Sequence, residues 1–332
     1  MSKVTDLGER RIIEIIIKNL DKFPKMVVPF GDDIAALSIS DNLLAVLKTD
    51  MLVAKTDIPP GMTLQQAARK AVVMNISDLA AKGVKPIAIL TSLGLTRDLA
   101  ENNIIEIASG LNSGAREYDA YIIGGDTGEA SDLIICCMVF GLSQSETLIT
   151  RSGAKPGDIL AVTGLFGKTA SGMKVLLEGF QTPPKLRKAL LEAVYMPRAR
   201  LNEGLSLAKS SVATASIDSS DGLAVSLHEL RKMSRVGFCI TKMPIAREAV
   251  QFAKLTGFDP NELALYGGEE YEIVTTIRRE GWRKAQQAVR EAGGRLIRIG
   301  EVIEEEKIVF RRDGREEIIP YRGWEHFKVH GT

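Results

Sequence analysis

The chain has 332 residues, about two domains' worth at the usual ~150 each, and its 45% hydrophobic and 26% charged residues are ordinary for a globular protein. Lysine plus arginine number 43 against 42 acids, so the net charge of +1 gives no broad field for nucleic acid or an anionic membrane, and any anionic ligand has to be held locally. The 3 cysteines, two of them adjacent at Cys136 and Cys137, exclude a disulfide framework, and the 3 histidines, His228, His326 and His330, show no zinc-ligand spacing.

Near the start, Ile12, Ile13, Ile15, Ile16 and Ile17 are interrupted by Glu14 and followed by Lys18. That pattern predicts an amphipathic helix and falls far short of the ~18 apolar residues of a membrane span. No small-residue cleavage site follows a charged start, so the expected location is cytoplasmic. Strands are expected over 43–47 and 87–95, alternating with helices from Leu64 and over 100–118, which makes an α/β chain.

The helix from Leu64 has legible ends: Thr63 and Gln66 form a capping box, and Gly83 suits the stop. Asp78 then lies near the negative end, where an acid opposes the helix dipole by ~0.3–1 kcal/mol. Asn75, one turn earlier, continues the small apolar stripe of Ala67, Ala68, Ala71 and Val72. Polar groups on a buried stripe need partners, and for Asp78 these are Lys82, a backbone amide or a metal ion.

A third strand is expected over 133–142. The polar stretch 143–146 and the turn-rich run Arg151-Ser152-Gly153-Ala154-Lys155-Pro156-Gly157-Asp158 follow it and mark a boundary, dividing the chain into domains 1–148 and 149–332. In each half a Gly-Gly-acid turn is expected beside a β-rich run, Gly124-Gly125-Asp126 and Gly267-Gly268-Glu269. The charged runs 304–306 and 311–315 read as solvated turns of a C-terminal hairpin.

Five acid-bearing motifs carry candidate chemistry: Gly31-Asp32-Asp33, Thr49-Asp50, Asn75-Ile76-Ser77-Asp78, Gly124-Gly125-Asp126-Thr127 and Asp218-Ser219-Ser220-Asp221-Gly222. Each alone has a local reading, and Ser220 or Asp221 also suits the cap of a helix starting near Leu223. If the acids converge, each pair of like charges ~5 Å apart costs ~3 kcal/mol at an effective dielectric of ~20, which bound divalent cations would remove. An all-oxygen ligand set selects Mg²⁺ or Mn²⁺, and Mg²⁺ characteristically bridges carboxylates to phosphates. The run Thr163 to Gly172 contains Gly167-Lys168-Thr169 but puts Val162 where a P-loop needs its first glycine, so its glycines are expected to turn a strand into a helix. Arg151 either reaches a phosphate or sits in a solvated turn.

In order along the chain stand G-D-D-I-A-A-L, T-D-M-L-V, N-I-S-D-L-A-A-K-G, I-I-G-G-D-T, R-S-G-A-K-P-G-D, I-D-S-S-D-G-L and Y-G-G-E-E-Y-E, with Gly323-Trp324-Glu325-His326-Phe327 near the end. Together these motifs resemble the thiamine-monophosphate kinase family of the aminoimidazole-ribonucleotide-synthetase-like superfamily. The resemblance implies direct, Mg²⁺-dependent transfer of the γ-phosphoryl group of ATP to thiamine monophosphate, with neither a protein nucleophile nor a general base. It places Asp33, Thr49, Asp50, Asp78, Asp126, Asp218 and Asp221 as metal ligands, and Gly125, Arg151 and Ser220 at ATP. Glu269 and Trp324 fall at the thiamine moiety, where an aromatic face beside a thiazolium cation is worth ~0.5–2 kcal/mol; the other reading of Trp324 is a terminal anchor packed on the core. The implied fold is a two-domain α/β (α+β) aminoimidazole-ribonucleotide-synthetase-like one, whose N-terminal sheet pairs with that of a second subunit in a homodimer.

The sequence departs from the family pattern near the substrate. Asp57 stands where a substrate-contacting histidine is expected, Lys48 replaces a small residue before Thr49-Asp50, and Gly-Gly-Glu-Glu replaces Gly-Gly-Glu-Asp, departures that resemble an archaeal-type branch. The competing readings are a sister ATP-dependent synthetase or cyclase and a non-catalytic nucleotide-binding regulator.

Overall fold

A computed structural model describes residues 3–21, 23–325 and 327; His326 and His330 lie outside them. The first half runs α1 (Val4–Lys18), β1 (Ala35–Ser38), β2 (Leu43–Val53), α2 (Ala54–Asp57), α3 (Leu64–Ala81), β3 (Lys85–Leu95), α4 (Glu101–Glu117), β4 (Tyr121–Glu129) and β5 (Ile134–Gln144). Its five strands form one sheet in the order β1-β2-β5-β3-β4, antiparallel except for the β3–β4 pair.

Helix α3 covers one face of this sheet, for the reason its sequence suggests. Ala67, Ala68, Val72, Val73, Ile76 and Leu79 are fully buried, and α4 packs beside it and against β4. Thr63 accepts from the Gln66 amide while the Gln66 side chain accepts from Thr63 N–H, the capping box expected. The helix stops at Gly83, whose φ of 68° is left-handed and costs a glycine little. The sheet's other face stays open, with Met51, Leu90 and Leu142 exposed in its strands and Tyr121 and Ile123 exposed on the edge strand β4. The isoleucines of α1 do form a helix, but Ile13, Ile15 and Ile16 are exposed rather than packed, and Gly8 breaks the helical backbone.

The second half runs β6 (Ile159–Val162), α5 (Lys168–Leu177), α6 (Pro184–Tyr195), α7 (Leu201–Ser210), β7 (Ala213–Asp218), α8 (Leu223–Ser234), β8 (Gly237–Ile240), α9 (Arg247–Thr256), α10 (Pro260–Tyr266), β9 (Ile273–Ile277), α11 (Trp282–Glu291), β10 (Ile297–Ile303), β11 (Ile308–Arg312) and β12 (Arg315–Ile318). Its seven strands lie in the order β12-β11-β8-β10-β6-β9-β7. Alternate residues of β6 serve two cores: Leu160 and Val162 pack with α8 residues such as Leu223 and Leu227, while Ala161 packs with Leu207 of α7 and Val289 of α11. Burial on both faces explains why such strands read as continuous apolar runs. The 311–315 run turns the β11–β12 hairpin as expected, whereas 304–306 links β10 to β11 across the intervening β8.

The two sheets meet along the C-terminal half of α3. Ser77 donates to Asp218 of β7, and Lys82, just past the helix, donates to the Ser216 carbonyl. No helix among the described residues is long and apolar enough to cross a membrane.

Candidate active site

This seam gathers acids from both halves. One carboxylate oxygen from each of Asp33, Asp78 and Asp218 lies within 4.8 Å of the others, and all three residues are buried. Asp33 comes from the loop before β1, Asp78 from α3 and Asp218 from the end of β7, so convergence follows from packing α3 between the sheets.

The chain also interleaves its own cations with these acids, in pairings the motifs did not disclose. Lys82, with 0% exposure, lies 2.9 Å from Asp32 Oδ1 and 2.6 Å from Asp33 Oδ2. The Arg151 guanidinium pairs with Asp33 and donates to the Gly31 carbonyl at 2.9 Å, so its fork is engaged by acid and backbone, which corrects the solvated-turn reading. Asp78 pairs with Lys48 at 2.9 Å, so Lys82, one of the partners considered for it, is not the one it meets.

These cations are unevenly shared. Burial pushes the Asp33 carboxyl up, but Arg151 and Lys82 outweigh it and hold its pKa well below the usual carboxylate range. Asp78 is driven the other way, by burial and the neighbouring charges of Asp218 and Asp33 against the pull of Lys48. Burial and then Asp33 raise Asp218 to about 6 despite the Ser77 hydrogen bond. Burial, Glu9 and Asp218 raise Asp221 to about 7. A cluster whose carboxylates are pushed toward protonation is short of positive charge, and three convergent hard oxygens suit Mg²⁺. Asn75 Oδ1 and Ser219 Oγ, buried beside these acids in sequence, have no hydrogen-bond partner among the described residues.

The second motif of this half closes on the first through backbone contacts. Glu269 N–H donates to Ser220 O at 2.5 Å, Tyr271 N–H to Ser219 O at 2.9 Å, and Trp324 N–H to Asp221 O at 3.2 Å. Neither Ser220 nor Asp221 caps α8; that position belongs to Gly222, without a side-chain bond. Glu269 and Tyr271 both take left-handed backbone, φ 61° and 51°, a strained arrangement of the kind found where a loop is fixed for function. The Glu269 carboxylate pairs with the buried Lys70 of α3, and Lys70 also donates to the Asp57 carbonyl at 3.0 Å. Asp57 itself accepts from Val53 N–H at 2.7 Å within the short α2. Trp324 is 43% exposed, so it is not an anchor buried in the core. Buried Tyr271 was missed in the sequence; Glu269, Asp50, Asp218 and Asp221 all act on its hydroxyl, whose pKa burial and these charges raise.

Strand register separates the remaining acids. Across the first sheet Asp50 pairs with Cys137, Cys137 with Thr91 and Thr91 with Gly125, while Met51, Cys136, Ser92 and Asp126 make the next row. Side chains in one row share a face and adjacent rows alternate. Asp50 therefore turns with Lys48 toward the α3 side, and Asp126 turns with Met51 toward the open side, as does Thr49, whose Oγ1 donates to the Cys137 carbonyl at 3.1 Å. β4 lies three strands from β2, roughly 14 Å along the sheet at ~4.8 Å per strand. Within one chain Asp126 is thus not brought to the cluster. The expected Gly124-Gly125-Asp126 turn is instead the middle of β4. Gly125 is required there because a Cβ would come 1.9 Å from the Thr91 carbonyl.

Glycines after β6 do turn the strand into a helix: Gly167, φ 95°, precedes α5. Its N–H and that of Thr169 donate to the half-buried Glu270, at 2.6 and 3.2 Å.

Residues 31–143 match the AIR synthase related protein, N-terminal domain, family. The chain is 37% identical to the thiamine-monophosphate kinase of Pyrococcus horikoshii, over 98% of each chain. It is 32% identical to that of Nitrosopumilus maritimus, over 98% of this chain and 100% of the relative. Its fold matches the solved structure of AaThiL complexed with AMPPCP and TMP with a TM-score of 0.85 and 28% identity, covering 98% of this chain and 99% of that one. With identity at this level over nearly the whole length, the chain belongs to the thiamine-monophosphate kinase family.

Proposed function

We propose that the chain transfers the γ-phosphoryl group of ATP to the phosphate of thiamine monophosphate, giving thiamine diphosphate and ADP. The observation that carries this reading is the convergence of Asp33, Asp78 and Asp218 at the seam of a fold shared with AaThiL complexed with AMPPCP and TMP. Asp33, Asp78 and Asp218 would hold Mg²⁺ together with Asp50 and Asp221, whereas the Thr49 side chain faces the open side of the sheet with Asp126. When bound, the metal supplies charge neutralisation across the phosphates.

The protein's own part is positioning. Lys82 and Arg151 fix the Asp32–Asp33 loop against the seam, and Ser77 orients Asp218. Gly125, Arg151 and Ser220 are assigned to ATP. Arg151 has to exchange part of its bonding with Asp33 to reach a phosphate. Glu269 and Trp324 are assigned to the thiazolium cation; the support is that their backbones hydrogen-bond to the neighbouring residues Ser220 and Asp221. Asp57 is assigned to the same substrate through α2, which Lys70 ties to Glu269. An already ionised phosphate acceptor needs no base, in keeping with His228 lying against the Ile319 carbonyl at 3.0 Å.

The functional unit is a homodimer in which the open faces of two N-terminal sheets meet. That contact would cover the exposed Met51 and Leu90. It would also let the partner's Asp126 serve a site that its own chain does not reach. The division into domains 1–148 and 149–332 follows the two sheets, and a cytoplasmic location suits both substrates. The test is chromatography of the products from ATP, Mg²⁺ and thiamine monophosphate. Thiamine diphosphate and ADP in equal amounts are expected; ADP without thiamine diphosphate, or no turnover, rejects the assignment.

A further inference from the structure

Lys48 differs from the other cations of the seam in what it faces. Lys82 and Arg151 attach to Asp32 and Asp33, bonding at the same time to backbone carbonyls that fix the loop. Lys48 Nζ lies 2.9 Å from Asp78 Oδ2 and 4.0 Å from Asp50 Oδ2. Asp78 contributes an oxygen to the triad that converges within 4.8 Å. An ammonium is a compact point charge with three donors, and here it stands between two carboxylates of the kind that ligate a divalent ion. The placement is built into the strand: residues 48 and 50 are two apart on β2, so their side chains lie side by side on the face that α3 covers.

We propose that the Lys48 ammonium is a resident cation of the carboxylate cluster, filling between Asp78 and Asp50 a seat that a divalent ion would otherwise take. The inference deepens the proposed function and rests on its assignment of these acids to metal. Its consequence is that the chain needs fewer metal ions to balance the seam and keeps part of that balance when metal is removed.

Mn²⁺ binding followed by electron paramagnetic resonance, with a non-hydrolysable ATP analogue present, tests it on the wild type, Lys48→Met and Lys48→Arg. Lys48→Met is expected to bind one additional Mn²⁺ per chain, to melt at a lower temperature in EDTA, and to recover with Mg²⁺. Lys48→Arg, which keeps the charge, is expected to match the wild type in ion count. An unchanged ion count and unchanged melting in Lys48→Met overturn the inference while leaving the metal site intact. A wild type that binds no Mn²⁺ overturns the inference and the metal assignment together. Should Lys48→Met fail to fold, Lys48→Met/Asp78→Asn removes one charge of each sign. A soluble double variant supports the charge role, and an insoluble one shows that the lysine acts as a packed stem, which overturns it.

Discussion

The Ser77 hydroxyl donates to Asp218 Oδ2 across 2.6 Å, joining α3 of the first half to β7 of the second inside the carboxylate cluster. One short side chain thus does two things: it bonds two layers together, and it favours the ionised form of an acid that its surroundings push toward protonation. Ser77→Ala is expected to cost ~1.5–3 kcal/mol of stability, the range for a hydrogen bond to a charged group. It should also weaken Mg²⁺ binding. Urea unfolding and Mn²⁺ titration measure the two effects, and an unchanged metal affinity would reduce Ser77 to a structural tie.

Asp50 and Asp126 point to opposite faces of one sheet. Asp50→Asn and Asp126→Asn are each expected to abolish turnover while circular dichroism and melting stay close to wild type. If Asp126 acts across a dimer, mixing and refolding Asp126→Asn with Asp218→Asn chains restores activity, because one of the two sites in each mixed dimer is then intact. Mixtures that stay inactive would place Asp126 in its own chain's site or outside catalysis.

Trp324 is tied by its backbone to Asp221 and is 43% exposed. Trp324→Ala is expected to raise the KM for thiamine monophosphate by roughly 2- to 30-fold, the equivalent of ~0.5–2 kcal/mol of cation–π attraction, with the KM for ATP unchanged. Trp324→Phe should fall between the two. Equal effects on both substrates would point to a loop defect instead.

Burial raises the Glu270 carboxyl from its ordinary 4.5 to about 7, against the pull of the Thr169 and Gly167 N–H groups. An acid with a raised folded pKa binds its proton more tightly in the native state. Its contribution to stability is therefore full below about 4.5 and is lost as pH rises toward about 7. Glu270→Gln, whose amide oxygen still accepts both N–H bonds, should remove that loss. The stability difference between variant and wild type, followed by urea unfolding from pH 4.5 to 8, is expected to shift by a few kcal/mol in favour of the variant. A difference that does not change with pH would contradict the shift.

Much of the site's skeleton is readable from the sequence, because it depends on local rules. The capping box at Thr63 and the stop at Gly83 fix where α3 ends, and so put Asp78 in its last turn. What the sequence does not disclose is pairing across the fold. Nothing local says that Lys48 rather than Lys82 meets Asp78, since that follows from α3 lying over β2. The two glycines before Asp126 carry a turn signal in any window, yet Gly125 is there to let two strands approach at the Thr91 carbonyl. Tyr271 is one more aromatic beside a strand until the chain closes around it.

Lys82 is fully enclosed while touching Asp32 and Asp33 on one side and the Ser216 carbonyl of β7 on the other. Swinging the two halves apart would strand that ammonium and its acids without partners, at a cost of several kcal/mol. The seam is thus bolted where the acids gather, and opening the two halves about a hinge there is disfavoured.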